Sequence, residues 1–530
     1  MTGGVRRRVW IGLAGPALAM GLALSCQSPE GREKAAAPAS RAVVLRSKDS
    51  PEAMVRKAVQ VVPDSRQRVW QEREFIGFIH FGTNTFTGRE WGLGNEDPAV
   101  FNPVDFDARQ WVKVFRDAGM KMLILTAKHH DGLCLWPSRF TDHSVKKSPW
   151  KDGRGDVVRE AADACRECGL DFGVYLSPWD RHEPSFGDSP RYNAHFIGQL
   201  RELLTRYGKI SEVWFDGANA EGPNGKRQVY DWPAYYAVVR DLAPDAVIFG
   251  MGPDVRWVGT ESGYGRETEW SVMPVSIRDS TNIPDRPDAA WIDNNFLPGD
   301  MMAPDLGSRL QFKPETMLLW YPSEADVSIR PGWFYHEAQD TRVKTPENLV
   351  DIYYASVGRN SVLLLNVPPD RRGRLHENDT ASLLGMRKIL DRTFACNLAA
   401  DARIRAENQG PENGPEAVLD SDASTFWAAS EGAVSSRLEF EFNAPVTFDV
   451  AMLQEPIAFG QRIERFRLDA LDNGSWKTFA EGTTIGYKRL LRFPKTTAKS
   501  LRLVIEQSRS HPMISEFGLF RLPPAGEKIP

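Results

Sequence analysis

Five cysteines in 530 residues are too few for a disulfide framework, so a chain of this size must be held together by hydrophobic cores. An excess of charge of one sign is lacking too. With 66 Lys+Arg against 70 Asp+Glu the net charge is −4, which gives no basic field to hold a phosphate backbone and excludes nucleic acid as the expected partner. Periodic glycine and sustained heptads are missing and apolar content is not low, so collagenous, coiled-coil and disordered classes are excluded. No Gly-rich phosphate fingerprint follows the first predicted strand, Phe75–Phe81, which removes the main support for a dinucleotide fold. What the chain has in number is aromatic rings: 16 Trp, 27 Phe and 12 Tyr. Such rings fill cores, and they also suit the apolar faces of sugars; composition alone does not choose.

The N-terminus reads as an export signal over residues 1–26, with Arg6, Arg7 and Arg8 ahead of an apolar stretch from Val9 to Leu24. That stretch is too short and too rich in Gly and Pro for a membrane span. It ends in Leu22-Ala23-Leu24-Ser25-Cys26, which resembles a lipobox with Cys26 as the acylated residue. The expectation is an exported chain, an outer-membrane or periplasmic lipoprotein touching the membrane only through a lipid anchor, or a secreted protein if the lipobox is not used. Residues 27–64, with Ala35-Ala36-Ala37-Pro38 and scattered charge, read as a tether. Cys165 and Cys168 sit in a predicted helix with no second pair at zinc spacing, so they do not read as a metal site.

From residue 65 to 395, short apolar runs alternate with amphipathic helical stretches. The predicted strands are Phe75–Phe81, Met122–Thr126, Phe172–Leu176, Glu212–Phe215, Ala246–Phe249, Met317–Trp320 and Ser361–Leu365. Continuous apolar strands separated by helices imply burial on both faces and parallel pairing, and an array of this length predicts a (β/α)8 TIM-type barrel. From 400 to 530 the pattern changes to period-two alternation, as in Leu438-Glu439-Phe440-Glu441-Phe442, which predicts a separate antiparallel β-sandwich.

Polar residues gather at the predicted strand ends, where barrel active sites are built. His80 closes the first strand, Lys128-His129-His130-Asp131 the second, Ser177-Pro178-Trp179-Asp180 the third and Asp216-Gly217 the fourth. A carboxylate at the end of an apolar strand points into the barrel mouth, and glycoside hydrolysis needs a second carboxyl group beside it. Glu261, Glu267 and Glu269 are the candidates. Three histidines and an aspartate invite a metal-dependent hydrolase as the alternative. Against it, the first strand has no His-x-His, and neighbours such as His129 and His130 point to opposite sides of a strand.

Several motifs are longer than chance spacing: Phe78-Ile79-His80-Phe81-Gly82, Glu90-Trp91, the run from Ala127 to Ser138, Val174-Tyr175-Leu176-Ser177, Glu212-Val213-Trp214-Phe215-Asp216-Gly217 and Leu364-Leu365-Asn366-Val367-Pro368-Pro369. Together they resemble the retaining α-L-fucosidases of glycoside hydrolase family 29. The run from Glu324 to His336 and Gly460-Gln461-Arg462-Ile463 look like its α1,3/4-selective branch. The resemblance implies an exo-acting enzyme on fucosylated oligosaccharides or glycoproteins, with no catalytic cofactor. It implies Asp216 as nucleophile and Glu261 as acid/base, in a Trp-Val-Gly-x-Glu pattern whose x is Thr260 where Asn is common. Glu267 and Glu269 stay open for the second role. Substrate contacts are implied for His80, Glu90, Trp91, His129, His130, Tyr175 and Arg256, with Trp333 at the 6-methyl group and Trp320 either beside it or in the core. The segments Ala417–Trp427 and Ile514–Phe520 resemble discoidin-like (F5/8 type C) sandwiches of the family 32 carbohydrate-binding kind. Sugar binding and buttressing of the barrel are both open for this domain, and the Asp420/Asp422 loop is a structural Ca²⁺ candidate through hard oxygen ligands. A non-catalytic glycan-binding lipoprotein is the remaining alternative.

Overall fold

The computed structural model describes residues 39–523 apart from 280–282, 298, 300 and 412–413. The expected signal segment with Cys26, and residues 27–38 of the expected tether, lie outside the described residues.

Eight parallel strands form a nearly closed barrel: β1 (Phe75–Ile79), β2 (Met122–Lys128), β3 (Asp171–Leu176), β4 (Glu212–Phe215), β5 (Val247–Gly250), β6 (Arg256–Trp257), β7 (Ser323–Ser328) and β8 (Ser361–Asn366). Their order in the sheet is β5-β4-β3-β2-β1-β8-β7-β6, and a single bridge between Phe249 and Val255 spans the remaining seam. All seven residues of β2 are buried, as a strand covered on both faces requires. The helices Ala108–Asp117, Val157–Cys168, Ser189–Arg206, Trp232–Leu242 and Pro346–Ser356 lie outside the strands. Asp107 and Asp156 start the first two by accepting backbone N–H groups three residues on, and Gly169, at φ 74°, ends the second in the left-handed region that favours glycine. On β1, a methyl group at Gly77 would overlap the Phe115 ring and the Met120 sulfur, so only glycine lets helix Ala108–Asp117 pack this close.

Two expectations are corrected. Met317–Trp320 is not a barrel strand: Thr316–Trp320 pairs antiparallel with Val272–Ile277 and with Ala42–Leu45 in a side sheet. The seventh barrel strand is instead Ser323–Ser328, which the apolar criterion passed over because its inward positions carry Glu324, Asp326 and Ser328. Residues 39–64 are also not a tether. Ala42–Leu45 are 0–2% exposed, and the helix Pro51–Val59, capped by Ser50, buries Met54 and Ala58. Four consecutive apolar residues that complete a sheet bury enough surface to order the segment. Trp320 belongs to this layer, fully buried with its Nε1 donating to Gln71 Oε1 at 2.9 Å, so it packs the core and does not flank the site.

The C-terminal region is an antiparallel sandwich, built on a six-stranded sheet whose longest strands are Ser436–Gln454, Ile463–Asp472 and Arg489–Ser508, with a two-stranded pair from Trp427–Ala428 and Met513–Ile514. Leu438, Phe440 and Phe442 all point into its core, as the alternation predicts. It is joined to the barrel by buried hydrogen bonds. Gln461 Nε2 donates to the Glu269 carbonyl at 2.9 Å, Gln461 Oε1 accepts from Ser271 N at 2.8 Å, and Thr484 Oγ1 accepts from Glu269 N at 3.1 Å. Arg489 Nη1 donates to the Glu267 carbonyl at 2.7 Å. Cys134, Cys165, Cys168 and Cys396 are free thiols.

Candidate active site

The strand ends bring Phe78, His80, Glu90, Trp91, His129, His130, Tyr175, Trp214, Asp216, Ala218, Glu261, Asp326 and Trp333 around a cavity of about 180 Å³. That space suits one small ring. Asp216, one residue beyond β4, is held by two donors: Tyr175 O–H to Oδ2 at 2.9 Å and Ala218 N to Oδ1 at 2.7 Å. These orient the carboxylate without neutralising it, because neither donor carries a charge. Burial and the Asp216 charge push the Tyr175 hydroxyl far above its ordinary range, so it stays a donor.

Glu261, in the turn after β6, reaches the same cavity and accepts from Trp333 Nε1 at 3.1 Å. The other two acid/base candidates do not. Glu267 pairs with Arg359 and Arg489 beside the sandwich, and Glu269, 1% exposed, pairs with Arg256 and Arg266. This pairing also corrects Arg256. Its Nε donates to the Tyr321 carbonyl at 3.0 Å and its guanidinium to Glu269, so it is fully buried beneath the site and does not line the cavity. The resemblance alone implied a substrate contact for this arginine, but a carboxylate eight residues past Glu261 captures it.

His80 sits at the end of β1, where burial pushes it down to about 3 against only a partial offset from Asn366. Its Nδ1 lies 2.9 Å from Asn366 Oδ1. Asn366 Nδ2 in turn donates to Ser328 Oγ at 2.9 Å and to the Trp333 carbonyl at 2.8 Å. With the amide fixed this way round, His80 must carry its proton on Nδ1, leaving Nε2 as an acceptor for a substrate hydroxyl. The same holds for His130. Ser177 donates to the Trp179 carbonyl at 2.6 Å, so its oxygen accepts from His130 Nδ1 at 2.7 Å, and His130 Nε2 stands 3.8 Å from Asp216 Oδ2. Burial holds His130 and, more strongly, His129 below the ordinary histidine range. All three rings are therefore neutral hydrogen-bonding groups at pH 7.

His129 and His130 were expected on opposite sides of a strand. Both face the cavity, with ring centroids 4.2 Å apart, because β2 ends at Lys128 and the alternation ends with it. Among the described residues, no group of three or more His, Cys, Asp or Glu side chains is arranged to hold a metal ion. Asp420 and Asp422 accept hydrogen bonds from their own loop, including Thr425 Oγ1 at 2.7 Å and Ser424 Oγ at 2.6 Å.

Glu90 shapes the wall through Trp333 N, which donates at 2.7 Å, and His336 Nε2 at 2.5 Å. Trp333 packs against His80 with centroids 5.1 Å apart, and Trp91, 55% exposed, stands edge-on to His130 and Trp179. Three residues for which no role was expected complete the site, Trp214, Asp326 and Asn366, together with Ser177 at the predicted end of the third strand. For Asp326 and Asn366 the available signal was position, the inward register of β7 and the last residue of β8.

A parallel barrel whose strand ends surround a sugar-sized cavity with paired carboxyls, neutral histidines and tryptophans defines a glycoside hydrolase. Residues 57–393 match the alpha-L-fucosidase family and residues 403–517 the F5/8 type C domain. The chain is 42% identical over 467 residues to alpha-L-fucosidase 1 of Arabidopsis thaliana, covering 87% of each chain. A Ruminococcus gnavus GH29 fucosidase solved in complex with fucose is 34% identical, with a TM-score of 0.76 over 87% of this chain and 95% of that one. A solved Bacteroides ovatus chain, provisionally described as an alpha-L-fucosidase, is 46% identical with a TM-score of 0.79, covering 93% of this chain and 80% of the other. This protein belongs to the α-L-fucosidase family, glycoside hydrolase family 29, and carries a C-terminal F5/8 type C domain.

Proposed function

We propose that the enzyme releases terminal α1,3- or α1,4-linked α-L-fucose from oligosaccharides or glycoproteins by double displacement. The observation that carries this reading is that Asp216 and Glu261 face one small cavity while Glu267 and Glu269 are committed to ion pairs elsewhere. Asp216, held by Tyr175 and Ala218, attacks the anomeric carbon as Glu261 passes a proton to the departing glycosidic oxygen. Glu261 then takes a proton from water, which attacks the fucosyl-Asp216 ester and frees the sugar with its α configuration retained. Trp333 offers its ring to the 6-methyl group, worth about 1 kcal/mol for one buried methyl. A relative supports the sugar assignment: the R. gnavus fucosidase holds fucose, both unaltered and with one aspartate replaced by alanine.

The test is azide rescue with an aryl α-L-fucoside. Asp216→Ala loses turnover and, with azide, yields β-L-fucosyl azide by direct displacement. Glu261→Ala is rescued to give the α-azide from the covalent intermediate. An inactive Asp216→Ala with a near-native Glu261→Ala would overturn the assignment of the second carboxyl. A panel of α1,2-, α1,3-, α1,4- and α1,6-fucosylated oligosaccharides tests the linkage, and preferred release from α1,2 would refute it.

For the sandwich, the buried hydrogen bonds to residues 267–271 support buttressing of the barrel over sugar binding. Export as a lipoprotein acylated at Cys26 is part of the same reading, checked by mass spectrometry of the mature N-terminus. A Ca²⁺ ion at the Asp420/Asp422 loop is checked by whether chelation lowers the melting temperature.

A further inference from the structure

Four carboxyl groups line the cavity, those of Glu90, Asp216, Glu261 and Asp326, and among the described residues no lysine or arginine lines it. Glu90 is committed to Trp333 N and His336. Three acids remain around one small space, with only neutral histidines opposite. Like charges facing one small cavity disfavour each other's ionisation, most of all at a buried group, and the mechanism needs Asp216 charged.

Asp326 is the one placed to keep its proton. It stands on β7 between Glu324 and Ser328, all three facing inward, and it is 4% exposed. Its Oδ1 accepts from Trp257 Nε1 at 2.8 Å, and among the described residues no other residue donates to Oδ2. Besides the fucose-sized cavity it lines an adjoining one of about 430 Å³, where Asp216, Glu261, Trp257, Met251 and Met301 also lie. The carboxyl group therefore stands where the two spaces meet. The titratable groups around it are Glu261 after β6, Asp216 after β4, Tyr175 on β3, Glu324 below it on β7, and His80, His129 and His130 across the cavity. Burial, reinforced by the charges of Glu261 and Asp216, pushes it up to about 8.

We propose that Asp326 is a third functional carboxyl group of this site, which in its neutral form donates its Oδ2 hydrogen to a sugar oxygen where the two cavities meet. Ionised, the same group presents only lone pairs to that oxygen and adds a second negative charge beside Asp216. Fucose binding is then full below the titration of Asp326 and falls above it. The inference rests on the α-L-fucosidase reading.

The experiment is calorimetric titration of L-fucose into the full chain from pH 6 to 9.5, for wild type, Asp326→Asn and Asp326→Ala. The asparagine keeps a donor and cannot titrate. Wild-type Kd is expected to be flat to about pH 7.5 and then to rise, approaching tenfold per pH unit once the group is ionised. Asp326→Asn is expected to match wild type at pH 6 and stay within twofold to pH 9, and Asp326→Ala to bind about tenfold more weakly throughout. An alkaline loss that persists in Asp326→Asn overturns the proposal, as does a wild-type curve flat to pH 9.5, which needs no variant to fold. A wild type that binds no fucose at any pH overturns the fucosidase reading itself.

Discussion

Replacing Gln461 with methionine separates buttressing from catalysis. The side chain is fully buried where sandwich meets barrel, and its amide holds two backbone groups, the Glu269 carbonyl at 2.9 Å and the Ser271 N–H at 2.8 Å. Methionine keeps the volume, so cavity terms stay small. The Ser271 N–H is left unpaired, while the Glu269 carbonyl keeps a longer contact from Asn360 Nδ2 at 3.3 Å. One orphaned buried donor and one weakened acceptor, at about 1–3 kcal/mol for each group fully lost, give roughly 2–4 kcal/mol. The catalytic consequence follows from the chain path. Residues 267–271 anchor the far end of the turn that carries Glu261, while Asp216, His129 and His130 follow β4 and β2, to which none of these hydrogen bonds runs. Urea unfolding is expected to show the stability loss, and kinetics with an aryl α-L-fucoside a several-fold fall in kcat at nearly constant KM. Wild-type stability would refute the energetic reasoning. A destabilised variant with unchanged kcat would show that the sandwich does not position the acid/base.

Three further outcomes follow from the same geometry. Arg256→Ala strands the buried Glu269 carboxylate and is expected to cost about 3–5 kcal/mol in chemical denaturation, while the fucose Kd of the folded enzyme at low temperature stays within a factor of two. Trp91→Ala is expected to do the reverse, raising KM five- to tenfold for the loss of about 1 kcal/mol of aromatic contact with an unchanged melting temperature, since this ring is more than half exposed. The third concerns Glu212 and Glu324, fully buried in the barrel interior, which accept from Trp70 Nε1 and Trp214 Nε1 respectively at 2.8 and 2.9 Å. Burial raises both above the ordinary 4.5, and the Glu212 charge raises Glu324 further. The native chain then keeps protons that the unfolded chain releases, so stability from this pair is full below about pH 4.5 and falls as pH rises toward neutrality. Glu324→Gln removes one of the titrations and is expected to flatten that fall in denaturant midpoints measured from pH 4 to 8.

The barrel was legible where strands are uniformly apolar: β1, β2, β3, β4, β5 and β8 follow the runs of Phe, Ile, Leu and Val closely. It was misread at β6 and β7. Barrel strand β7 carries Glu324, Asp326 and Ser328 inward and so lacks the apolar signature, while Met317–Trp320 has that signature for another reason, burial inside a side sheet. The functional demand on β7 is what hid it. The same cause kept Asp326 out of the expected site, although Asp216, just past an apolar strand, and Glu261, in a family-like motif, stood out. Arg256 erred the other way: its motif placed it near the sugar, and only the Glu269 side chain beneath the site shows why it never arrives there.

By itself the sequence determined the parallel barrel, the antiparallel sandwich and the strand ends on which the reactive groups sit, because burial on one face or two writes its period directly into the chain. Tertiary structure decided which of three glutamates reaches Asp216, which ring nitrogens are left to accept, and that residues 39–64 complete a sheet. Each of these depends on partners far apart in the chain: Asn366 for His80, Trp333 for Glu261, Met317 for Val44. A local pattern records how a residue is buried, and only the fold records what it is buried against.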